Sequence, residues 1–175
     1  MMENIHREWK IRLAQNADVD SLVAMRLRLD AHMAVANPRL LQLSAQGREA
    51  LRDSYLQEIA STSSCVLVSE WRPTGVLIGM IFGRASIRED LVPTNIGRID
   101  DVFVDPGRRR QGICRGLLKE LLVFFERKGV EVLDLTYTIG NTEAENTWHG
   151  LGFQPVLTVA NAKIGDLLMH LENTK

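Results

Sequence analysis

Residues 96–128 constrain the fold more than any other part of the sequence, because a strand, a turn and a helix follow one another there. IGRIDDVFV (96–104) has the length and apolar content of a buried strand. ICRGLLKELLVFFERK (113–128) places its apolar residues on one helical face, and Gly129 follows as a C-cap. The turn between them holds three arginines and two glycines. The sequence therefore predicts a strand-to-helix junction that is rich in hydrogen-bond donors.

Apolar patterning predicts five elements before this junction. Alternating polar and apolar residues predict a strand at 9–14. Asp18 and Ser44 stand where N-caps are expected, each before a run of apolar residues at helical spacing. The apolar runs at 64–70 and 75–84, separated by a turn that contains proline and glycine, predict a β-hairpin.

Four more elements are predicted after the junction. Residues 130–137 read as a strand, and Thr142 and Glu145 have the spacing of a capping box at the start of a short helix. PVLTV (155–159) and DLLMHLEN (166–173) are predicted as two closing strands. The whole order predicts a mixed sheet with helices on it, which is an α/β (α+β) fold in a single domain formed by the whole chain.

Composition narrows the class of protein. The chain has 175 residues, of which 45% are hydrophobic and 25% charged, as expected for one globular domain. A net charge of −1 gives no reason to expect nucleic acid or an anionic membrane as a partner. No run approaches the roughly 18 apolar residues of a membrane span. The four histidines lack metal-ligand spacing, so no metal site is predicted.

Two further features concern location. Residues 1–10 contain no apolar segment of the kind found in signal peptides. Cys65 and Cys114 are the two cysteines, and neither belongs to a CxxC pair. Both features favour a cytoplasmic protein.

The junction itself has the chemistry of an anion site. The first N–H groups of a helix have no partner within the helix, and the helix dipole adds about half a positive charge there. Gly112 leaves the backbone accessible, and Arg108, Arg109 and Arg110 add cationic donors. This combination suits a phosphate or pyrophosphate. The spacing is neither that of a Walker A loop nor that of a GxGxxG turn. The alternative is a solvated basic turn without a ligand.

The order of residues in this turn resembles a known family. RRQGIC (109–114) is similar to the Arg/Gln-x-x-Gly-x-Gly/Ala signature of the GNAT superfamily of N-acetyltransferases. VFVDP (102–106) is similar to the strand that leads into that signature. NTEA (141–144) and WHGLGF (148–153) resemble a second family segment. The resemblance implies a GNAT-like fold with a mostly antiparallel central sheet, and an acetyltransferase that uses acetyl coenzyme A (acetyl-CoA).

The resemblance also implies roles for individual residues. The loop and helix N-terminus would hold the pyrophosphate of acetyl-CoA through Arg109, Arg110, Gln111, Gly112, Ile113 and Cys114. Phe103 and Val104 would pair through their backbone with the pantetheine arm, and Asn141 would hold the pantetheine or the thiol end. The backbone N–H of Val102 would stabilise the oxyanion that forms when an amine attacks the thioester.

Two positions depart from the family pattern. Cys114 replaces the usual glycine or alanine with a slightly larger residue. Trp148 occupies the position of a tyrosine that can protonate the departing thiolate, and an indole N–H is too weak an acid for that role. Trp148 is therefore expected to pack, either in the core or along the pantetheine arm.

Asp100 and Asp101 are the candidates for a general base. Strict alternation would put them on opposite faces of the strand, with Asp100 on the face of Val102 and Val104. By resemblance, Asp100 corresponds to a glutamate of diamine acetyltransferases that is thought to act as the base. A salt bridge with Arg98 or with the arginine loop is the structural alternative for both carboxylates.

The acceptor is expected to be a primary amine. If both carboxylates face the acceptor, they favour a cationic amine such as a polyamine or an amino sugar, with Asp101 contacting it. Residues 30–48 contribute to the acceptor pocket in many relatives, which makes His32 a second candidate for substrate binding.

Two alternatives remain open at this point. A peptide or protein N-terminus could be the acceptor, and an open groove would favour that alternative. A coenzyme-A-binding module without turnover is a different class of function, and the missing tyrosine motivates it. Many relatives pair as dimers, often through their last strands, so a homodimer is also expected by resemblance.

Overall fold

A five-stranded sheet forms the centre of the computed structural model, which describes residues 8–173. Residues 1–7, which include His6 and most of the N-terminal stretch considered above, and residues 174–175 lie outside the described part. The strands are Trp9–Leu13 (β1), Ser64–Trp71 (β2), Leu77–Ile87 (β3), Asn95–Val104 (β4) and Val132–Leu135 (β5). They lie in sequence order, with β4 and β5 parallel and every other neighbouring pair antiparallel. The predicted mixed, mostly antiparallel sheet is confirmed.

Helices cover both faces of the sheet. The α-helices are Val19–Ala36 (α1), Ala45–Glu49 (α2), Leu51–Ala60 (α3), Ile113–Arg127 (α4), Thr142–Gly150 (α5) and Ile164–Asn173 (α6). The predicted hairpin is present as β2 and β3, and the predicted strand-to-helix junction lies between β4 and α4. No described helix is long and apolar enough to cross a membrane.

One face of the sheet packs against α4. Leu117, Leu121 and Phe125 are buried on the apolar side of this helix, as their spacing predicts. The approach is close: a Cβ built on Gly97 of β4 would lie 2.4 Å from Leu133 and 2.9 Å from the Phe125 ring. Glycine at this position therefore allows β4 to lie directly beneath the helix.

The other face packs against α1 and α3. Leu22 and Met25 of α1 and Tyr55 of α3 are buried in a second cluster with Met80 of β3 and Phe103 of β4. The two clusters fix β3 and β4 between two helical layers. Each side chain on β4 consequently lies on the α4 side or on the α1 side of the sheet. The side on which it lies determines whether it can reach the functional site.

The prediction of two closing strands is wrong. Residues 155–159 form no strand among the described residues, and residues 166–173 belong to α6. Ile164, Leu167, Leu168 and Leu171 have i, i+3, i+4, i+7 spacing, which is helical and does not alternate. The preceding stretch is held by a hydrogen bond that the Asn161 side chain donates to the Arg39 carbonyl at 3.0 Å.

Two of the three predicted caps lie at the predicted residue. Ser44 accepts a hydrogen bond from Gly47 N–H at 3.0 Å and caps α2, as predicted. Asp18 is the N-cap residue of α1, as predicted, but its side chain makes no capping bond and its carboxylate binds Arg12 at 2.7 Å. The predicted capping box of Thr142 and Glu145 is wrong, because Asn141 caps α5 instead, accepting from Ala144 N–H at 3.1 Å.

Candidate active site

A cleft opens where β4 and β5 separate. The two strands are paired only from Ile96 to Ile99 on β4 and from Val132 to Leu135 on β5, whereas β4 continues to Val104. Beyond Ile99, β4 has β3 on one edge and no strand on the other among residues 8–173. The cleft has a volume of about 760 Å³. Its wall therefore includes a strand edge whose backbone groups can pair with an extended ligand.

A β-bulge in β4 determines which side chains face each layer. Phe82 of β3 pairs with Asp101 and the next residue, Gly83, pairs with Ile99, so Asp100 is an extra residue. Val102 and Val104 pack on the α4 side with Ile99, although strict alternation would separate them from it.

The same bulge places both carboxylates on the α1 side. Asp101 contacts Arg26 of α1 and Tyr55 of α3. Asp100 contacts Arg84, which lies two positions after Phe82 on β3 and therefore on the same face of the sheet. Phe82 belongs to the cluster on the α1 side. The expectation that Asp100 and Asp101 lie on opposite faces, with Asp100 beside Val102 and Val104, is therefore wrong. The extra residue interrupts the alternation on which that expectation depends.

The N-terminal end of α4 forms one end of the cleft, which we call the donor end (Val102–Val104, residues 108–115 and α5). Gly112 is the N-cap of α4 and has φ = +78°, a left-handed conformation that other residues rarely adopt. A Cβ built on Gly112 would meet nothing within 4 Å. The N-terminal amides of α4 are thus accessible from the cleft, with a backbone geometry suited to an anion.

The three arginines of the junction have different partners. Arg108 stacks on Trp71, with its guanidinium carbon 3.7 Å from the ring centroid. Arg109 donates to the Val104 carbonyl at 3.3 Å and forms an ion pair with Glu143 of α5, so it bridges the two walls of the cleft. Arg110 has φ = +61° and forms no ion pair within the described chain. Arg110 is therefore the junction arginine most available to an anionic ligand.

The predicted donor residues gather at this end, with one exception. Gln111 lies outside the cleft lining. The lining includes Val102, Phe103, Val104, Arg109, Arg110, Gly112, Ile113, Cys114, Asn141 and Trp148. Burial raises the pKa of the Cys114 thiol, which keeps this side chain neutral beside the helix N-terminus. Backbone edge, helix N-terminus and cationic donors together fit a long ligand that carries phosphate groups.

Trp148 and Asn141 both have structural contacts at the edge of the cleft. Trp148 is 6% exposed and belongs to the α4-side core, with its ring centroid 5.4 Å from that of Phe153. Trp148 packs in the core and also borders the cleft, so it can pack against a ligand there as well as in the core. The Asn141 side-chain oxygen is occupied by capping α5, and its amide N–H groups remain as the donors that a ligand could use.

The opposite end of the cleft, which we call the acceptor end, is formed by α1, α3 and the β-bulge. Asp101 is 4% exposed, and Tyr55 donates a hydrogen bond of 2.8 Å to it. Burial raises the pKa of Asp101, while the neighbouring Arg26 guanidinium opposes that shift. Burial, followed by the Asp101 charge, raises the pKa of Tyr55, so the hydroxyl remains a hydrogen-bond donor.

Asp100 and His32 lie closer to solvent at the acceptor end. The Asp100 carboxylate accepts from Arg84 at 3.0 Å and from Arg98 at 3.1 Å, and its side chain is 18% exposed. The salt-bridge alternative with Arg98 is thus observed for Asp100, together with a second arginine. His32 lines the cleft from α1 and is exposed.

Three polar residues of the acceptor end were not predicted as site residues: Arg26, Tyr55 and Arg84. A signal for Arg26 was present, because it interrupts an apolar helical stripe between Val23 and Leu29. An arginine in a buried stripe requires a buried counter-charge, and Asp101 supplies it. The sequence around Tyr55 and Arg84 carries no comparable signal.

Comparison with known proteins gives the family. A sequence profile of the acetyltransferase (GNAT) family matches residues 34–153, which is more than half of the chain. The chain belongs to this family. The match confirms the predicted enzyme class, an N-acetyltransferase with acetyl-CoA as the donor.

Solved structures share the fold of this chain. A tetramutant protein from Bacillus halodurans is 18% identical with a TM-score of 0.75, over 89% of this chain and 99% of that chain. A predicted acetyltransferase from Clostridium acetobutylicum, solved with acetyl-CoA, is 15% identical with a TM-score of 0.70, over 90% and 97% of the two chains. An aminoglycoside antibiotic 6′-N-acetyltransferase from Acinetobacter baumannii is 16% identical with a TM-score of 0.67, over 89% and 97%. These similarities confirm the predicted fold.

Proposed function

We propose that this enzyme transfers the acetyl group of acetyl-CoA directly to the primary amine of a small molecule, with both substrates bound in the cleft. The observation that carries the proposal is the cleft between β4 and β5, which joins a free strand edge to the exposed N-terminus of α4. A donor at one end and an amine at the other would meet at the β-bulge. Direct transfer then needs no covalent enzyme intermediate.

The donor end supplies binding groups for the pyrophosphate and the pantetheine arm. The α4 amides after Gly112 and the Arg110 guanidinium would hold the phosphates through charge-assisted hydrogen bonds. Val104 would pair through its backbone with the amides of the pantetheine arm. This role is supported by the missing strand partner of β4 beyond Ile99 among residues 8–173. The expected pairing of Phe103 is wrong, because Phe103 lies opposite Met80 in the same register as the Asp105 N–H bond to Ile78, so its backbone groups face β3.

The reaction forms a C–N bond and breaks the C–S bond of the thioester. The Val102 N–H would donate to the developing oxyanion, and Asp100 would accept the ammonium proton through a bridging water. Partial exposure of Asp100 supports the bridging water, since solvent reaches its carboxylate. The thiolate would take its proton from solvent, because Trp148 is not an acid and is buried.

At the acceptor end, Asp101 would act through the residues that it holds. Its ion pair with Arg26 and its hydrogen bond from Tyr55 fix two side chains that line the cleft. His32 would contact the acceptor from α1, which is supported by its exposed position on the lining. A polyamine or an amino sugar remains an acceptor class to test, since one similar structure is an aminoglycoside acetyltransferase.

Thiol release from acetyl-CoA, followed across a panel of amines, tests the proposed function. The panel contains polyamines, aminoglycosides, amino acids and short peptides. We expect release that depends on one class of small amine. Release with peptides alone would move the acceptor to a protein N-terminus. Binding of acetyl-CoA without release by any amine would contradict the proposal and favour a non-catalytic binding module.

We also propose a homodimer in the cytoplasm. The apolar side chains of α6, which include Ile164, Leu167, Leu168 and Leu171, are all exposed, and a second copy would cover them. The two cysteines are free, which fits a reducing compartment. Light scattering after size-exclusion chromatography measures the mass directly, and a monomer at micromolar concentration would contradict the dimer.

A further inference from the structure

The hydrogen-bond partners at the acceptor end point to a more specific substrate. We propose that the acceptor is a primary amine that carries a carboxylate, and that Arg84 binds this carboxylate with Arg26 beside it. The inference rests on the proposed acetyl transfer to a small amine. It follows from which polar atoms around the cleft already have partners and which do not.

All four carboxylate oxygens of the β-bulge have donors from the protein. Asp101 accepts from Arg26 on one oxygen and from Tyr55 on the other. Asp100 accepts from Arg98 on one oxygen and from Arg84 on the other. Three of these donors are guanidinium groups, whose positive charges offset the charges of the two carboxylates and weaken their attraction for a polycationic acceptor. The two aspartates therefore do not form the cation site that their sequence position suggests.

Donor atoms, in contrast, remain without partners. Arg84 uses Nε for Asp100 and lies 3.5 Å from Glu58 through Nη1, and its Nη2 makes no hydrogen bond within residues 8–173. Arg26 uses Nε for Asp30 and Nη1 for Asp101, and its Nη2 likewise makes none in the described chain. Both arginines line the cleft. The acceptor end thus offers guanidinium N–H groups to an incoming molecule.

Exposure supports the same conclusion. The Arg84 side chain is 49% exposed, whereas that of Asp100 is 18% and that of Asp101 is 6% exposed. Solvent therefore reaches a larger fraction of the Arg84 side chain than of either carboxylate. Asp30 is paired with Arg26 through one oxygen, and its other oxygen is buried without a hydrogen-bond partner among the described residues. Glu58 is paired with Arg84 through one oxygen and accepts from Ser64 on the other.

Arg84 is held in position before any substrate arrives. Its guanidinium carbon lies 4.8 Å from the centroid of the Phe82 ring. Its Nε binds Asp100, and its Nη1 forms an ion pair with Glu58. A side chain that is already ordered loses little conformational entropy when it binds a ligand. Arginine and carboxylate match in shape and form charge-assisted hydrogen bonds. Arg84 is therefore suited to select a carboxylate near the reactive amine.

Matched acceptors provide the test. Acetyl transfer is measured for a series of L-amino acids and for the C-terminal amides of the same amino acids, with spermidine and kanamycin as cationic comparators. We expect the acid to exceed its amide in kcat/KM by about 10- to 100-fold. In Arg84→Gln, the ratio of acid to amide should fall to about one, and Arg84→Lys should retain part of it.

Controls separate this result from a folding defect and from failure of the proposed function. Arg88→Gln removes an exposed arginine of the β3–β4 loop and should keep the wild-type ratio. Acetyl-CoA affinity reports whether each variant is folded. Equal rates for acid and amide, or transfer to spermidine or kanamycin alone, would overturn the carboxylate assignment and leave the acetyltransferase intact. No transfer to any amine by protein that binds acetyl-CoA would overturn both.

Discussion

The two ends of the cleft are built by different means. The donor end depends mainly on the backbone: a left-handed N-cap at Gly112, the amides at the start of α4 and the part of β4 beyond Ile99 that has no strand on one edge among residues 8–173. The acceptor end depends on side chains from several elements, such as Arg26, Tyr55 and Asp101. Many side-chain substitutions at the donor end should therefore leave its binding groups in place. Each substitution at the acceptor end alters the groups that contact the acceptor.

This difference explains how one fold can keep a donor and vary its acceptor. The backbone groups that bind the donor persist as long as the sheet and α4 are present. The side chains that meet the acceptor can be exchanged without altering those groups. Substitutions at the donor end should accordingly change the affinity for acetyl-CoA, and substitutions at the acceptor end should change kcat/KM for the amine.

The largest effect is expected from Gly112→Glu at the donor end. A glutamate adds negative charge at the anion site and strains a backbone with φ = +78°. Acetyl-CoA affinity, measured by calorimetry, should fall by more than about 100-fold. Gly165→Glu, which adds the same charge in the exposed α6, is the control. Unchanged affinity in Gly112→Glu would remove the anion site from the junction.

A smaller effect is expected from Asp100→Asn at the acceptor end. Loss of the proposed base should lower kcat/KM at pH 7 by about 10- to 100-fold. The loss should shrink at high pH, where more of the amine is already deprotonated. Acetyl-CoA affinity should stay as in the wild type, because the ion pairs of Asp100 in the described chain are with Arg84 and Arg98, neither of which belongs to the donor end. A pH–rate profile parallel to that of the wild type would exclude Asp100 as the base.

The smallest effect is expected on stability, from Arg26→Met. The change removes the counter-charge of buried Asp101 and should lower the free energy of unfolding at pH 7 by about 2 kcal/mol. Burial already raises the pKa of Asp101, and without Arg26 the pKa should rise further. The folded state then takes up a proton more readily than the unfolded state. The deficit should therefore shrink as the pH falls.

Chemical denaturation at pH 7 and at pH 5 measures the effect of Arg26→Met. Arg52→Met is the matched control, because its ion pair with Asp20 is exposed and should contribute less than about 0.5 kcal/mol. A deficit that is equal at both pH values would mean that Asp101 is not the group left uncompensated.

The sequence predicted the donor end better than the acceptor end, for a physical reason. A strand, a glycine and a helix that follow one another in the chain make a local site, so residues 102–114 can be interpreted together. The acceptor end joins residues that are distant in sequence, such as Tyr55 and Asp101 at a hydrogen-bond distance of 2.8 Å. Its geometry also depends on a β-bulge that the letters IDDVFV do not reveal, because strict alternation fits them equally well.

The C-terminal region illustrates a second limit. Residues 166–173 contain apolar residues at spacings that fit a helix, yet they were predicted as a strand. The structure follows the helical spacing, since these residues belong to α6. The spacing of apolar residues is a direct physical signal, because it determines which side chains share a face.

The extra residue at Asp100 also has a meaning for variation in the gene. A codon change at this position replaces one side chain and leaves the rest of β4 as it is. A codon deletion would instead remove the bulge: Ile99, Asp101 and Val102 would alternate strictly, and both flanks of the strand would keep their faces. At this point of the chain, a change of length and a change of residue are therefore different kinds of mutation. An alignment that treats a gap there as one more mismatch misses that difference.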